Sequence, residues 1–270
     1  MNVSPRESHP NRVGVLIATV LLAYALTRLI PTPQFTLEIQ FSGFYYAYPL
    51  SLSTVMLILT AGLTATGMDW LLRSHPGLGE KPTIEHWLLP TLATFIIGLP
   101  LTILPFGAIW WVGFGVAGLL LLFLFQAETI VVDPSSPNYA LAASGLTALS
   151  YAVFVILTAA VRFNGVRLFL MAPILFVVAG LVSLRNLHLR LGGKWKLNWA
   201  IGIGFICMQL GAALHYWPVS PIQFGLALFG TLYAMTLLAG SLLEKIPVRR
   251  AIAEPVIVLG LACGIAVLLP

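Results

Sequence analysis

Nine long runs of apolar residues follow one another along the chain, separated by short segments of charged, proline or aromatic residues. A helix needs about 20 apolar residues to cross the hydrocarbon core of a bilayer. The pattern therefore predicts an all-α, polytopic transmembrane bundle of about nine helices. The predicted spans are residues 13–30, 49–72, 87–104, 107–127, 139–161, 167–184, 199–217, 220–243 and 252–269.

The third and fourth spans are the hardest to separate, because no charged residue stands between them. The stretch 87–127 is too long for one crossing, and Pro105 and Gly107 suit a tight turn. We therefore predict a hairpin at 105–107. An error there, or in the loop 128–138, which lacks Lys and Arg, would reduce the count to eight.

The composition indicates that lipid surrounds most of this chain. Hydrophobic residues make up 59% of it and charged residues only 9%, against about 25% in soluble proteins. We expect one integral membrane domain over residues 1–270 and no soluble domain. The basic start and the apolar run from Val13 resemble a signal peptide. The run reaches Ile30, however, so we expect a retained first helix behind a short cytoplasmic tail at 1–12.

If the chain crosses the membrane nine times, its lysines and arginines are distributed unequally between the two sides of the membrane. With the N-terminus in the cytoplasm, 11 of the 14 lie inside and 3 outside, which is the bias that cytoplasmic loops show. We expect an extracytoplasmic C-terminus and a bacterial-type cytoplasmic (plasma) membrane. The net charge of +5 does not indicate nucleic acid, because no domain or continuous basic face is present to bind it.

Aromatic side chains gather where the predicted spans end. All seven tryptophans lie within about one turn of a predicted helix end, as an interfacial aromatic belt requires. The longest outside loop, 31–48, is rich in aromatics. Its residues 35–41 alternate between apolar and polar, which predicts a half-buried strand. The loop is either an interfacial anchor or a lid over an outward-facing pocket.

Ionisable side chains are missing from the centres of the predicted spans, where they would mark a functional site. This excludes a retinal protein, which needs a mid-helix lysine, and a voltage sensor, and it disfavours a proton-driven carrier. Walker, HExxH and Gly-x-Ser-x-Gly motifs are absent, and we expect no cofactor and no metal. Asp69 and Arg73, one helical turn apart near the inner end of a span, form a candidate inner ion pair.

Three further polar sets are candidates for binding. The loop 185–199 carries four basic residues between leucines, which suits anionic lipid headgroups or another membrane subunit. These basic residues are Arg185, Arg190, Lys194 and Lys196. The candidate outer polar cluster consists of Glu38, Arg162, Arg167 and His215. An inner set offers metal-ligating residue types without ligand spacing, namely Glu80, Glu85, His86, Glu128, Asp133 and His188.

Uncharged polar residues within the spans supply the remaining chemistry. They either hydrogen-bond across helices or line a pocket for a neutral or lipid-like ligand. A G-x-x-x-G pattern at Gly260 and Gly264 suits close contact with another helix. The uncharged polar residues are Thr54, Thr60, Ser144, Thr147, Ser150, Tyr151, Gln209, Tyr233 and Thr236.

Three functions are compatible with this sequence. The first is non-catalytic, either an accessory or structural membrane subunit or a lipid-binding membrane protein. The second is a transporter or channel for a neutral or lipid-like solute, and the third is an intramembrane enzyme acting on lipid headgroups. A bundle without a cavity would exclude the second and third. A polar cavity that reaches the midplane, walled by residues such as Gln209 and Tyr233, would favour transport.

Overall fold

The computed structural model describes residues 8–29, 34–41, 44–73 and 83–268. Within these ranges the chain forms nine α-helices and two β-strands. In chain order they are α1 (Ser8–Leu29), β1 (Gln34–Phe41), β2 (Phe44–Ser51), α2 (Leu52–Arg73), α3 (Ile84–Ile103), α4 (Ala108–Val131), α5 (Tyr139–Phe163), α6 (Leu168–Arg190), α7 (Leu197–His215), α8 (Pro221–Leu243) and α9 (Val248–Leu268).

Each predicted span overlaps one helix, so the helical bundle is confirmed. The eight helices α2–α9 are long and apolar enough to cross a membrane, whereas the crossing by α1 stays a prediction. The hairpin at 105–107 is also confirmed, since α3 ends at Ile103 and α4 begins at Ala108. All seven tryptophans lie within a turn of a helix end, as expected of an interfacial belt. Residues 8–12, which we expected in the N-terminal tail, belong to α1.

The strand predicted at 35–41 is present, but it is not alone. β1 pairs with β2 in antiparallel register, from Gln34 opposite Ser51 to Phe41 opposite Phe44. Thr36, Glu38 and Gln40 are exposed on β1, which fits the alternation. The second strand takes up the first residues of the span predicted at 49–72. The pairing satisfies backbone groups that a single strand would leave without partners.

The helix α6 continues six residues beyond the predicted end of its span at 184 and ends at Arg190. It stops at Gly192 and Gly193, both with positive φ, where the N–H of Gly193 donates to the carbonyl of His188. This is the Schellman closure that glycine favours at a helix C-terminus. The loop predicted at 185–199 is therefore largely helical, which corrects our reading of its basic residues.

The chain divides into two compact units. The N-terminal unit, residues 1–142, contains α1–α4 and the hairpin. In it α1 packs on α2 and α3. The hydroxyl of Tyr24 on α1 donates to the carbonyl of Thr94 on α3, and the guanidinium of Arg12 lies 5.1 Å from the ring centre of Trp70 on α2. Between α3 and α4, the indole N–H of Trp110 on α4 donates to the carbonyl of Leu101 on α3 at 3.1 Å.

The C-terminal unit, residues 143–270, contains most of α5 and all of α6–α9. In this unit α6 and α7 approach each other closely. A Cβ added at Gly204 would lie 2.6 Å from the carbonyl oxygen of Phe176 and 3.3 Å from the backbone nitrogen of Gly180. Small residues permit such approach in membranes. Gly260 and Gly264 make no such approach within the described chain, where a methyl group added at either would meet no atom within 4 Å.

Candidate functional site: a polar cleft in the C-terminal unit

Three helices of the C-terminal unit place polar side chains around one cleft of about 350 Å³. On each helix these residues recur at intervals of three or four, so they share one helix face. The polar residues of the cleft are Ser144, Thr147 and Tyr151 on α5, Asn186 and Arg190 on α6, and Tyr233 and Thr236 on α8. Ala143, Leu189 and Leu237 complete the wall.

The cleft extends from the ends of the helices to their middle. Arg190 is the last residue of α6, whereas Tyr151 and Tyr233 lie near the midpoints of α5 and α8. Most of its accessible wall is carbon, and its polar atoms are concentrated in a few side chains. A cavity with an apolar wall and a small number of placed polar groups is the usual form of a small-molecule site.

Asn186 is held on one side by α5. Its side-chain oxygen lies 3.0 Å from the hydroxyl of Ser150, and that hydroxyl also lies 2.7 Å from the carbonyl of Thr147. A hydroxyl has only one proton. If Ser150 donates to Thr147, it accepts from Asn186, and the amide group of Asn186 must then be turned over. In either orientation the second atom of that amide is left for the cleft.

Two buried polar atoms of the cleft have no hydrogen-bond partner among the described residues. They are the amide nitrogen of Asn186 and the hydroxyl of Thr236, and both residues are 5% exposed. The phenolic hydroxyl of Tyr151 is close enough to both residues for a side-chain hydrogen bond to each, but neither contact has good geometry at these two atoms. An unpaired buried polar group costs about 1–3 kcal/mol. The cleft therefore has a polar centre whose hydrogen bonding is incomplete within the described chain.

Aromatic rings form the deep part of the cleft. The ring centres of Tyr151 and Tyr233 are 5.2 Å apart, and Phe229 lies 5.7 Å from Tyr151 and 6.0 Å from Tyr233. Such distances are typical of interacting aromatic side chains. The cluster fixes the two tyrosines next to Thr236 and gives the cleft rigid apolar surface with phenolic groups attached.

An ion pair lies at the end of the cleft that is nearest the C-terminal ends of α6 and α8. The Nε and Nη2 atoms of Arg190 each lie 2.8 Å from one carboxylate oxygen of Glu244. The same guanidinium donates to the carbonyl of Leu237 at 3.2 Å and to the hydroxyl of Ser241 at 3.1 Å. The bound guanidinium lowers the pKa of the Glu244 carboxyl below its ordinary value. The pair therefore stays ionised near neutral pH, and its charges cancel.

Gly240 makes room for this ion pair. A Cβ added at Gly240 would lie 2.8 Å from Nη1 of Arg190 and 2.9 Å from its Cδ and Cζ. The arginine thus lies across the backbone of α8, and any side chain at Gly240 would displace it.

The residues of the predicted outer polar cluster lie on different elements. Arg162 donates to the carbonyls of His215 at 2.7 Å and Trp217 at 2.8 Å, so it closes the C-terminal end of α7. Arg167 is exposed where α6 begins. Glu38 lies on β1 of the other unit. Their joint role as a cluster stays a prediction.

The basic residues of 185–199 do not form one exposed set. Arg185 is 1% exposed within α6, which corrects its expected contact with headgroups. Arg190 is held by Glu244. Lys194 is exposed and Lys196 is half-buried. Because the helix continues past residue 184, Arg185 is buried, whereas Arg190 stays exposed but is paired with Glu244.

The inner ion pair is present in the N-terminal unit. The Nε of Arg73 lies 2.7 Å from a carboxylate oxygen of Asp69, and the other oxygen accepts from the hydroxyl of Thr83, which precedes α3. The carboxylate thus links the end of α2 to the start of α3.

One histidine and two glutamates form a largely buried polar network in the N-terminal unit. Nδ1 of His86 is 3.0 Å from Glu128, and Nε2 is 3.2 Å from Glu85. Glu128 is 0% exposed. The loop predicted at 128–138 includes Glu128, but α4 extends to Val131 and contains this residue. Among the residues that the structure describes, no three His, Cys, Asp or Glu side chains come together as a metal site.

The helices and the cleft define an integral membrane protein of the polytopic helical class. The chain belongs to the family described as protein of unknown function (DUF5656), whose model matches residues 31–269. A search of the curated proteins and a search of the solved structures find no match to the chain.

Sequence reasoning identified five cleft residues but not the cleft. It named Ser144, Thr147, Tyr151, Tyr233 and Thr236 as uncharged polar residues within spans. Asn186 and Arg190 lie in the segment 185–199 that the sequence predicts to be a loop. Their spacing of four, with apolar residues continuing to Leu191, was the available signal for a longer helix.

Proposed function

We propose that this protein is a lipid-binding membrane protein that receives the polar part of a membrane lipid in the cleft of its C-terminal unit. The observation that carries the proposal is the pair of buried polar atoms on Asn186 and Thr236, beside Tyr151, that lack a well-formed hydrogen bond in the described chain. A ligand that bonds to both removes the cost of leaving them unpaired. The protein acts in a cytoplasmic membrane, and Lys194 and Lys196 contact anionic headgroups beside α7.

An amphiphile suits this cleft better than a fully polar solute. The accessible wall is mostly carbon, and the cleft lies among helices that are apolar enough to span a membrane. A lipid enters such a site with its chains still in lipid, so only the headgroup must be desolvated. The volume of about 350 Å³ matches a headgroup and not a whole lipid.

Photocrosslinking of the full chain in nanodiscs tests the proposal. The probes are diacyl lipids with identical chains, each with a diazirine next to the glycerol, and with glucosyl, phosphoglycerol or phosphocholine headgroups. We expect at least one probe to label α5, α6 or α8 next to the cleft, and unlabelled lipid with the same headgroup to reduce the labelling.

Asn186→Leu with Thr236→Val removes both polar atoms while keeping the side chains similar in size. We expect this variant to lose most of the labelling. Thr231→Val is the matched control, because Thr231 is buried on the same helix but bonds to the carbonyl of Ala227 and does not line the cleft. The proposal is overturned if no probe labels the cleft, or if the double variant labels as strongly as the control.

Transport of a neutral solute is the second candidate function. It is favoured by the position of Tyr151 and Tyr233 near the middle of their helices, which brings polar groups to membrane depth, as expected of a translocation site. Gln209, the other residue expected in such a path, does not line this cleft. Uptake of labelled glycerol and glucose into proteoliposomes tests this function. Flux equal to that of empty vesicles excludes these solutes as substrates.

A further inference from the structure

The charge at the cleft is already balanced by the protein. Arg190 is the charged residue of the lining, and four of its hydrogen bonds go to Glu244, Leu237 and Ser241. Glu254 adds a further electrostatic attraction to the same guanidinium. A bidentate arginine–carboxylate pair is a strong and geometrically specific contact. The arginine therefore has no net positive charge to offer a ligand.

A phosphate headgroup fits this balance poorly. To bind Arg190 it must displace Glu244, and the displaced carboxylate is then left without its partner. If Glu244 stays in place, the phosphate is desolvated beside a neutralised arginine. Both arrangements leave a negative charge without a free cation beside it, which disfavours a phosphate relative to an uncharged headgroup.

The other polar groups of the cleft suit hydroxyl groups. The hydroxyls of Tyr151, Tyr233 and Thr236 can each donate and accept a hydrogen bond, and Asn186 offers an amide. Sugar hydroxyls also donate and accept, so they can complement every one of these groups. A phosphodiester oxygen only accepts, and a choline group offers neither a donor nor an acceptor.

The tyrosines provide the surface that a sugar ring needs. Tyr151 is buried and Tyr233 half-buried, with their ring centres 5.2 Å apart. Each combines an apolar ring with a hydroxyl, and a sugar likewise combines C–H faces with hydroxyls at its edge.

We infer that the headgroup bound in this cleft is uncharged and rich in hydroxyls, as in a glycolipid, and is not phosphorylated. This inference rests on the proposed lipid site and specifies its ligand. The glucosyl probe described above should label the cleft at least about tenfold more strongly than the phosphoglycerol or phosphocholine probe, which corresponds to one or two additional hydrogen bonds. Equal or stronger labelling by either phosphorylated probe overturns it.

Two variants test the chemistry behind the preference. Tyr233→Phe keeps the ring and removes one hydroxyl, and it should weaken competition by glucosyl diacylglycerol about five- to tenfold. Tyr216→Phe, on an exposed tyrosine outside the cleft, should leave that competition unchanged. An unchanged result for Tyr233→Phe, or an equal loss in the control, contradicts the hydroxyl assignment.

Glu244→Gln should change the preference of the cleft for a sugar headgroup over a phosphorylated one. It frees the positive charge of Arg190, so labelling by the phosphoglycerol probe should rise about tenfold or more relative to the glucosyl probe. An unchanged ratio shows that the balanced pair does not set the selectivity and overturns the inference.

Failure of the lipid site and failure of the inference are distinguishable. The first abolishes specific labelling by every probe, and the second leaves labelling but with a phosphorylated lipid preferred.

Discussion

Arg190 and Glu244 connect the last residue of α6 to the residue that follows α8, through two N–H···O contacts of 2.8 Å each. The arginine lies over Gly240, where no side chain intervenes. The two residues are 54 positions apart in sequence. Their contact lies at one end of the polar cleft, and it also removes the free cation that would draw phosphate into it.

Gly240→Ala should displace the guanidinium and destabilise the protein. The new Cβ would lie within 3 Å of three arginine atoms, and overpacking of this kind costs about 1–3 kcal/mol. Thermal unfolding in detergent measures the loss. Gly260→Ala on α9 is the control, since its added methyl group meets no described atom within 4 Å and alanine favours a helix. A midpoint for Gly240→Ala at or above that of the control contradicts the close contact.

The ion pair should make stability depend on pH. The pKa of Glu244 is lowered by Arg190, so the stabilisation is complete above the unfolded carboxyl pKa of about 4.3 and is lost as the pH falls through the lower folded value. Both side chains are about one-third exposed, so solvent screening limits the effect to about 1 kcal/mol.

Melting temperatures at pH 7 and at pH 3–4 measure the contribution of the ion pair between Arg190 and Glu244 to stability. The wild-type chain should lose more stability on acidification than Glu244→Gln, whose side chain does not titrate. Identical pH dependence in the two proteins would show that the pair contributes nothing to folding.

The buried pair of His86 and Glu128 should be important for the stability of the N-terminal unit. Glu128→Leu removes the 3.0 Å contact that Glu128 makes with Nδ1 of the buried His86, and losing a buried hydrogen bond of this kind costs about 1–3 kcal/mol. Glu85→Leu is the comparison, because the Glu85 side chain is 21% exposed and water can replace it. Thermal unfolding should show the larger loss for Glu128→Leu. Equal losses would place the two carboxylates in equivalent environments and refute the assignment.

Gly204→Ala should separate α6 from α7. Its Cβ would meet the backbone of Phe176 and Gly180, and backbone atoms cannot rotate away. We expect a loss of about 2 kcal/mol or more. Gly202→Ala on the same helix meets no described atom within 4 Å and should be neutral. The measurement is again the unfolding midpoint, and similar values for the two variants would disprove the close approach.

The N-inside, C-outside orientation stays a prediction that reporter fusions can check. The 11-to-3 distribution of basic residues predicts that alkaline phosphatase fused after Pro270 is active in bacteria and that a green fluorescent protein fused there is dark. Fusions after residue 192 should give the opposite results. A fluorescent and phosphatase-inactive C-terminal fusion would mean an even number of crossings or an inverted chain.

The hydrophobic pattern by itself determined the membrane bundle, because each crossing needs a run of about 20 apolar residues whatever its neighbours are. The same local reasoning placed the turn at Pro105 and Gly107, the tryptophan belt and the first strand. It failed where partners distant in sequence decide the structure. Arg185 and Glu128 look like loop residues because charges usually end a span, yet both are buried within helices.

The cleft likewise depends on contacts that no local pattern specifies. The spacing of polar residues on α5, α6 and α8 indicates which face of each helix is polar, but not that the three faces meet. The ion pair between Arg190 and Glu244 and the unpaired atoms of Asn186 and Thr236 exist only once those helices pack. The sequence alone thus determined a polytopic membrane protein, since insertion depends on the hydrophobicity of each segment. Tertiary packing decided where its polar groups converge, because hydrogen bonds and ion pairs depend on the positions of several helices at once.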